Sequence, residues 1–233
     1  MGKIWAVASG CGGTGKTTLA IALAVGAAQK GHQTILLDAA GISRSCDLLL
    51  GVENVIAIDL VDAISQQTDL SAALYPVTQC TGLRLVNASV DGSVPMSEFS
   101  GVILALQSIC DILVIDLPSG EVLTGQKLTH QDELIYVLRP DDASIRSTEF
   151  LIQKMHGCEA GASLVLNHVR KDGVKKGIQY SGEAVSMALD CPLLSLISED
   201  DPCILDTASG KAARAVQKIG SPIKEILKQL LYR

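Results

Sequence analysis

Eight consecutive residues, Gly10-Cys11-Gly12-Gly13-Thr14-Gly15-Lys16-Thr17, have the types and spacing needed to hold the phosphates of a nucleotide. They satisfy the pattern G-x-x-x-x-G-K-[ST]. Glycines allow backbone N–H groups to converge on phosphate oxygens with no Cβ in the way. Lys16 would add a positive charge near the β- and γ-phosphates, and the Thr17 hydroxyl can ligate magnesium. A helix that begins here, with Thr18 in its first turn, points the positive end of its dipole at the same anion.

Two carboxylates extend this chemistry. Asp38 and Asp116 each close an apolar run, the place where open α/β sheets bind ligands. Magnesium takes few protein ligands and keeps several waters, so Asp38 and Asp116 either hold metal-bound or attacking water or simply cap the next turn. Asn167 follows the run Ser163–Leu166 and either bonds an adenine edge through its amide or forms a turn. Arg139, after another apolar run, is expected to border the same pocket. No N-K-x-D motif for reading guanine is present.

These groups need a scaffold. Short β-rich runs recur at Ile4–Ala8, Thr34–Leu37, Leu83–Asn87, Ile112–Ile115, Leu134–Leu138, Ser163–Leu166 and Leu193–Ile197. Longer stretches with helical spacing separate several of them. The alternation predicts an α/β fold, a doubly wound and mostly parallel sheet with helices on both faces. The glycine-rich motif lies between the first strand and a helix that should run to about Lys30 and stop at Gly31. No linker or repeat divides the chain, so residues 1–233 read as a single domain, with residues 90 to 100 as a surface loop.

The composition agrees. Of 233 residues, 48% are hydrophobic, enough for strands buried on both sides. A net charge of −6 and only 3% aromatic residues disfavour generic nucleic-acid binding. Seven cysteines form no C-x-x-C or C-x-C pair, which predicts reduced thiols used as small buried hydrophobes. No stretch is long and apolar enough to span a bilayer, so a cytoplasmic protein is expected.

The stretch Ser9–Thr18 resembles the deviant phosphate-binding loop of the MinD/ParA ATPases, SGKGGxGKTT. Leu36-Leu37-Asp38-Ala39-Ala40 is similar to the switch I segment of that family, and Ile115-Asp116-Leu117-Pro118-Ser119-Gly120 to switch II. Asp47–Asn54 resembles the text that follows switch I in MinD, Asn167 stands at the nucleobase-contacting position, and Ser198-Glu199-Asp200-Asp201 resembles a later loop. The resemblance covers nearly the whole chain. It implies a MinD-like sheet and binding of ATP or ADP with Mg2+. Gly12, Gly13, Thr14, Gly15, Lys16, Thr17, Thr18 and Asn167 would lie on the nucleotide, with Thr17, Asp38 and Asp116 around the metal. Lys16 and Asp38 would act in hydrolysis. It also implies a nucleotide-dependent homodimer and a protein partner in division, partition, flagellar or pilus positioning.

Two positions depart from the pattern. The family lysine before Gly-Gly, which reaches the phosphates of a dimer partner, is Cys11 here. The second switch I aspartate, which orients the attacking water, is Ala40. Hydrolysis is therefore expected to be slow, absent or rescued by a partner, and Arg44 is either a substitute cation or a plain loop arginine. A pseudo-ATPase scaffold that binds nucleotide without turnover is the nearest alternative. A metallochaperone or ligase on the same fold is another, though the cysteine after switch II and the C-x-C pair that such proteins carry are missing.

Two further stretches leave alternatives open. Arg170-Lys171-Asp172-Gly173-Val174-Lys175-Lys176 is a solvated charge run or a contact for DNA or an acidic partner. Ser221-Pro222 reads as an N-cap and first-turn proline. Ile223, Ile226, Leu227, Leu230 and Leu231 then form an apolar stripe. It either packs on its own domain or, as in the membrane-targeting helix of MinD, meets a membrane or partner.

Overall fold

The structure, a computed structural model, describes residues 1–40, 45–65, 69–88, 100–123, 126–155, 158–200 and 220–232. Arg44, residues 90–99 and Asp201, singled out above, lie outside them, as does Cys203, one of the seven cysteines.

All seven expected strands form. They are β1 (Lys3–Ala8), β2 (Thr34–Asp38), β4 (Leu83–Asn87), β5 (Ile112–Asp116), β6 (Glu133–Leu138), β7 (Gly161–Val169) and β8 (Leu193–Ser198). An eighth, β3 (Tyr75–Pro76), has only two residues and pairs antiparallel to β4 at the sheet edge. The order is β3-β4-β2-β5-β1-β6-β7-β8, parallel apart from β3. From β1 the chain moves to one side as far as β5, then crosses to β6 on the other. The direction reverses around β1, so the crevice that binds ligands in such sheets opens at the C-terminal ends of β5, β1 and β6.

Alternation along each strand divides the core into two layers. One layer joins Trp5, Val7, Leu36, Val114 and Val137 to helix α1 (Lys16–Gln29). Cys46 and Leu50 of α2 (Cys46–Leu50) belong to it too, as does α7 (Ser221–Leu231). The other joins Ala6, Ile35, Ile115 and Leu138 to α3 (Leu60–Ser65), α4 (Ser100–Ser108), α5 (Asp142–Lys154) and α6 (Gly182–Leu189). Helices thus cover both faces, as the near-continuous apolar strands require. The first helix is buried from Leu19 to Ala28 almost all round, because the sheet lies on one side and α7 on the other. Gly31, with φ +93°, ends it in the conformation that glycine accepts most readily.

Two expectations concern the C-terminal helix. Its N-cap is Gly220, so Ser221 is already the first helical residue and Pro222 follows inside the first turn. Ile223, Ile226, Leu227 and Leu230 are buried in the α1 layer, with Leu231 packed at its margin. The apolar stripe belongs to the core. That burial favours the reading in which the stripe packs on its own domain, since exposing it to a membrane would uncover α1 and β8 as well. Ile226→Ala should lower stability by about 2–4 kcal/mol, as cavity formation at a fully buried isoleucine does, measured as a urea midpoint. In the same preparation the unmutated protein should stay in the supernatant when sedimented with liposomes. Co-sedimentation would mean that α7 leaves the core. Among the described residues, no helix is long and apolar enough to cross a membrane.

The basic segment 170–176 is largely neutralised by its neighbours. Arg170 donates to Glu199 at 2.9 Å, Lys171 lies 3.8 Å from Asp200, and Lys176 pairs with Asp172. These are exposed ion pairs, each of little energetic weight. The arrangement fits a solvated charge run.

Candidate functional site

The glycine-rich loop joins the end of β1 to α1 in the crevice. Two of its glycines are dictated by close approach. A Cβ on Gly10 would collide with the backbone and hydroxyl of Ser147 on α5. Gly15 has φ +88°, and a Cβ there would meet the Asn167 amide. Gly12 and Gly13, by contrast, are exposed and have open space where a side chain would be, so the loop's outer face is free for a ligand.

Ser9 braces the loop from within. Its hydroxyl accepts from Thr14 Oγ1 at 2.9 Å and donates to the Cys11 carbonyl at 2.8 Å, while its own carbonyl accepts from Gly120 N–H. The segment Asp116–Gly120 is thereby tied to the loop. Cys11 turns its Sγ to Ser144 Oγ, 3.4 Å away on α5, so the position where the family carries a lysine holds a neutral contact. Ser144 Oγ in turn accepts from the Arg139 backbone N–H. The Arg139 guanidinium pairs with Asp141 at 3.0 Å, at a half-exposed position, so the structure shows it engaged outside the loop.

Lys16, Thr17 and Asp116 form one cluster. Lys16 Nζ lies 2.5 Å from Asp116 Oδ1, and the Thr17 hydroxyl donates to Oδ2 at 2.6 Å. Both charged groups are buried, Lys16 at 7% and Asp116 at 0% exposure, so the pair is shielded from solvent screening. Burial pushes the Asp116 carboxyl above its ordinary range despite the opposing pull of Lys16. A group raised in the fold contributes stability that is fully present below its unfolded pKa and lost as pH rises through its folded one. Ionised Asp116 is therefore a cost at neutral pH that Lys16 and Thr17 reduce.

Asp38 is the register partner of Asp116 across β2 and β5. Its carboxylate accepts backbone N–H groups from Ala40 at 3.0 Å, Ser45 at 3.3 Å and Cys46 at 3.1 Å. In this structure it caps the turn and the start of α2, one of the two roles its position predicts.

Asn167 sits at an irregularity of β7, where pairing with β8 shifts register between Leu166 and Val169 and His168 takes φ +57°. Bulges of this kind re-aim side chains beside functional sites. Asn167 Nδ2 donates to the Thr14 carbonyl at 2.8 Å, while the buried Oδ1 has no partner among the described residues. Its amide nitrogen therefore braces the glycine-rich loop from below. Thr18 lines a small apolar cavity with Gly15, Leu19 and Asn167.

Three groups at this site escaped sequence reasoning. Ser9 could have been read from its place at the start of the loop. Cys46 and Asn87 carry no local signal. Cys46, expected only to be a buried small side chain, lies with its Sγ 3.9 Å from Asp116 Oδ2. Burial first, then the charges of Asp38 and Asp116, push its thiol well above the usual range.

Residues 5–213 match the family model described as the CobQ/CobB/MinD/ParA nucleotide binding domain. The septum site-determining protein MinD of Helicobacter pylori is 29% identical, over 94% of this chain and 89% of its own length. The structure of MinD from Pyrococcus horikoshii, complexed with Mg-ADP, superposes with TM-score 0.80 at 25% identity, covering 99% of this chain and 95% of that one. In a MinC:MinD cell division complex of Aquifex aeolicus, the matched chain has TM-score 0.81 at 21% identity, a likeness of fold, with 99% and 96% covered.

Proposed function

From the premise that this chain belongs to the CobQ/CobB/MinD/ParA nucleotide-binding family, we propose that it binds Mg-ATP at the Gly10–Thr17 loop and acts as a nucleotide-dependent switch. The observation that carries this reading is the buried Lys16–Asp116–Thr17 cluster beneath a loop whose outer glycines are open. In this structure Asp116 pairs with Lys16. A polyphosphate at the loop would offer the ammonium a second anion and release Asp116 and the Thr17 hydroxyl toward magnesium. Thr17 and Asp116 would hold the ion, with Asp38 adjacent, and its charge would offset that of the phosphates. The residues present fit the group: a hydroxyl and carboxylates for a hard cation, a lysine and unhindered N–H groups for phosphate.

Switch II senses the occupant through Asp116 and through the Gly120 N–H bond to Ser9, so movement at either passes to residues 117–123. Self-association with ATP and docking of a protein partner would be its output. The MinD relatives support a role in positioning a division-type machinery, and we read residues 1–233 as one nucleotide-binding domain.

A pseudo-ATPase is favoured as a second reading by one feature. The Cys11 thiol faces Ser144, and Ala40 has no side-chain donor or acceptor, so two functions that family resemblance assigns to charged residues are absent. Titration with a fluorescent ATP analogue, with and without magnesium, tests binding, and single-turnover hydrolysis on the same protein tests catalysis. Magnesium-dependent binding with slow turnover is expected. Absence of binding in folded protein would overturn the switch reading, and turnover at an ordinary family rate would overturn the pseudo-ATPase.

A further inference from the structure

Nothing in the proposed function uses Cys46, yet its thiol stands where two carboxylates converge. Asp38, Cys46 and Asp116 each offer one donor atom, all three are buried, and the three atoms lie within 4.8 Å of one another. A second observation comes from the neighbouring strand. Asn87 is the register partner of Asp38, and alternation from Leu85 in the α1 layer puts its side chain on the same face as those donors. It is 1% exposed, and neither its Nδ2 nor its Oδ1 has a hydrogen-bond partner among the described residues. A buried amide without partners is uncommon in folded proteins and calls for a missing group.

We propose that Asp38, Cys46 and Asp116, with the Asn87 carbonyl oxygen as fourth donor, form a site for a thiophilic divalent cation of the zinc class. The donor set argues for that class. A sulfur with oxygens suits zinc or cadmium, whereas magnesium takes oxygens alone. Charge argues the same way: two carboxylates against the Lys16 ammonium leave one negative charge in excess. A divalent ion that displaces the thiol proton to solvent, as the sulfur–metal bond forms, brings the sum to zero. Geometry permits it. Donors around a tetrahedral zinc are roughly 3.3–3.8 Å apart, so closure of the Asp38, Cys46 and Asp116 donor atoms requires shifts of about 1 Å or less. Lys16 can stay on Oδ1, while Oδ2, which the thiol faces and which here accepts from the Thr17 hydroxyl, would turn to the ion. The site shares Asp38 and Asp116 with the nucleotide reading but does not require nucleotide.

The test is equilibrium dialysis of reduced, chelator-stripped full-length protein against zinc without nucleotide, beside Cys46→Ala, Asn87→Ala and, as a thiol control, Cys191→Ala. One zinc per chain is expected for wild type and Cys191→Ala, with affinity at least about tenfold weaker for Cys46→Ala and Asn87→Ala. Circular dichroism and a urea midpoint taken without metal establish that each variant is folded. Should Cys46→Ala not fold, cadmium-113 NMR of the wild type decides. A resonance typical of one sulfur with oxygen donors supports the site, and one typical of several sulfurs overturns it. No stoichiometric binding by wild type, or equal binding by wild type and Cys46→Ala, also overturns it. A fluorescent-ATP titration with magnesium on the same samples reports separately on the nucleotide reading.

Discussion

Lys16→Ala should lower Mg-ATP affinity by roughly 10²–10³-fold, or about 3–4 kcal/mol, the scale on which truncating one member of a buried, hydrogen-bonded charge pair acts. The same substitution has a second consequence that a merely exposed phosphate-binding lysine would not. Without the ammonium at 2.5 Å, Asp116 keeps its burial and loses its main compensation. Stability of the ligand-free protein should fall at neutral pH by up to about 3 kcal/mol, since an uncompensated buried charge is costly. Its carboxyl, already raised, should rise further. The deficit should therefore shrink as pH falls through the variant's folded pKa and Asp116 protonates. Adding Asp116→Asn should restore much of the neutral-pH stability while leaving nucleotide binding weak. Urea midpoints at neutral and mildly acid pH, beside a nucleotide titration, measure both effects. A Lys16→Ala protein as stable as wild type at every pH would show that the pair is not formed in solution. Near-normal affinity would show that the loop is not the phosphate site.

The second large effect is a gain. Cys11→Lys with Ala40→Asp should raise single-turnover ATP hydrolysis by about 10²-fold or more, because one preorganised transition-state contact accounts for roughly 10²–10³ in rate. The two changes need not multiply, since residues acting on one transition state behave as a unit. Space favours the first: Cys11 is part-exposed on an open loop, so a lysine there can extend beyond Ser144. The second adds a carboxylate two residues beyond Asp38, whose own carboxylate already receives the Ala40 N–H. Magnesium-dependent affinity should change much less than rate. An unchanged rate with intact binding would mean that hydrolysis is limited elsewhere, for example by the absence of a partner.

Much of this was legible along the chain. Each of the seven strands is a short apolar run set off from its neighbours, and the phosphate loop is a contiguous motif, so local pattern sufficed for both. Asp38 and Asp116 were recognisable because each closes a strand. The edge strand β3 was not, because two residues, one a proline, carry no alternation. The C-terminal stripe had the right spacing for a core helix and for a membrane helix alike. Burial against α1 and β8 favours the first, and that is a tertiary fact.

What the sequence determined by itself, then, is what short-range pattern encodes: a sheet covered on both faces, a glycine-rich loop of the phosphate-binding pattern, and the absence of the lysine and aspartate that resemblance leads one to expect. Tertiary structure alone decided the partners. Lys16 meets Asp116, 100 residues away, because parallel pairing of β1 with β5 brings loop and switch II together. Asn167 supports Thr14 across 153 residues because β7 breaks register beside the loop. Cys46, Asn87 and the two aspartates come from four separate segments. They lie on one side of the sheet because β4, β2 and β5 end in register, with α2 laid over their tips.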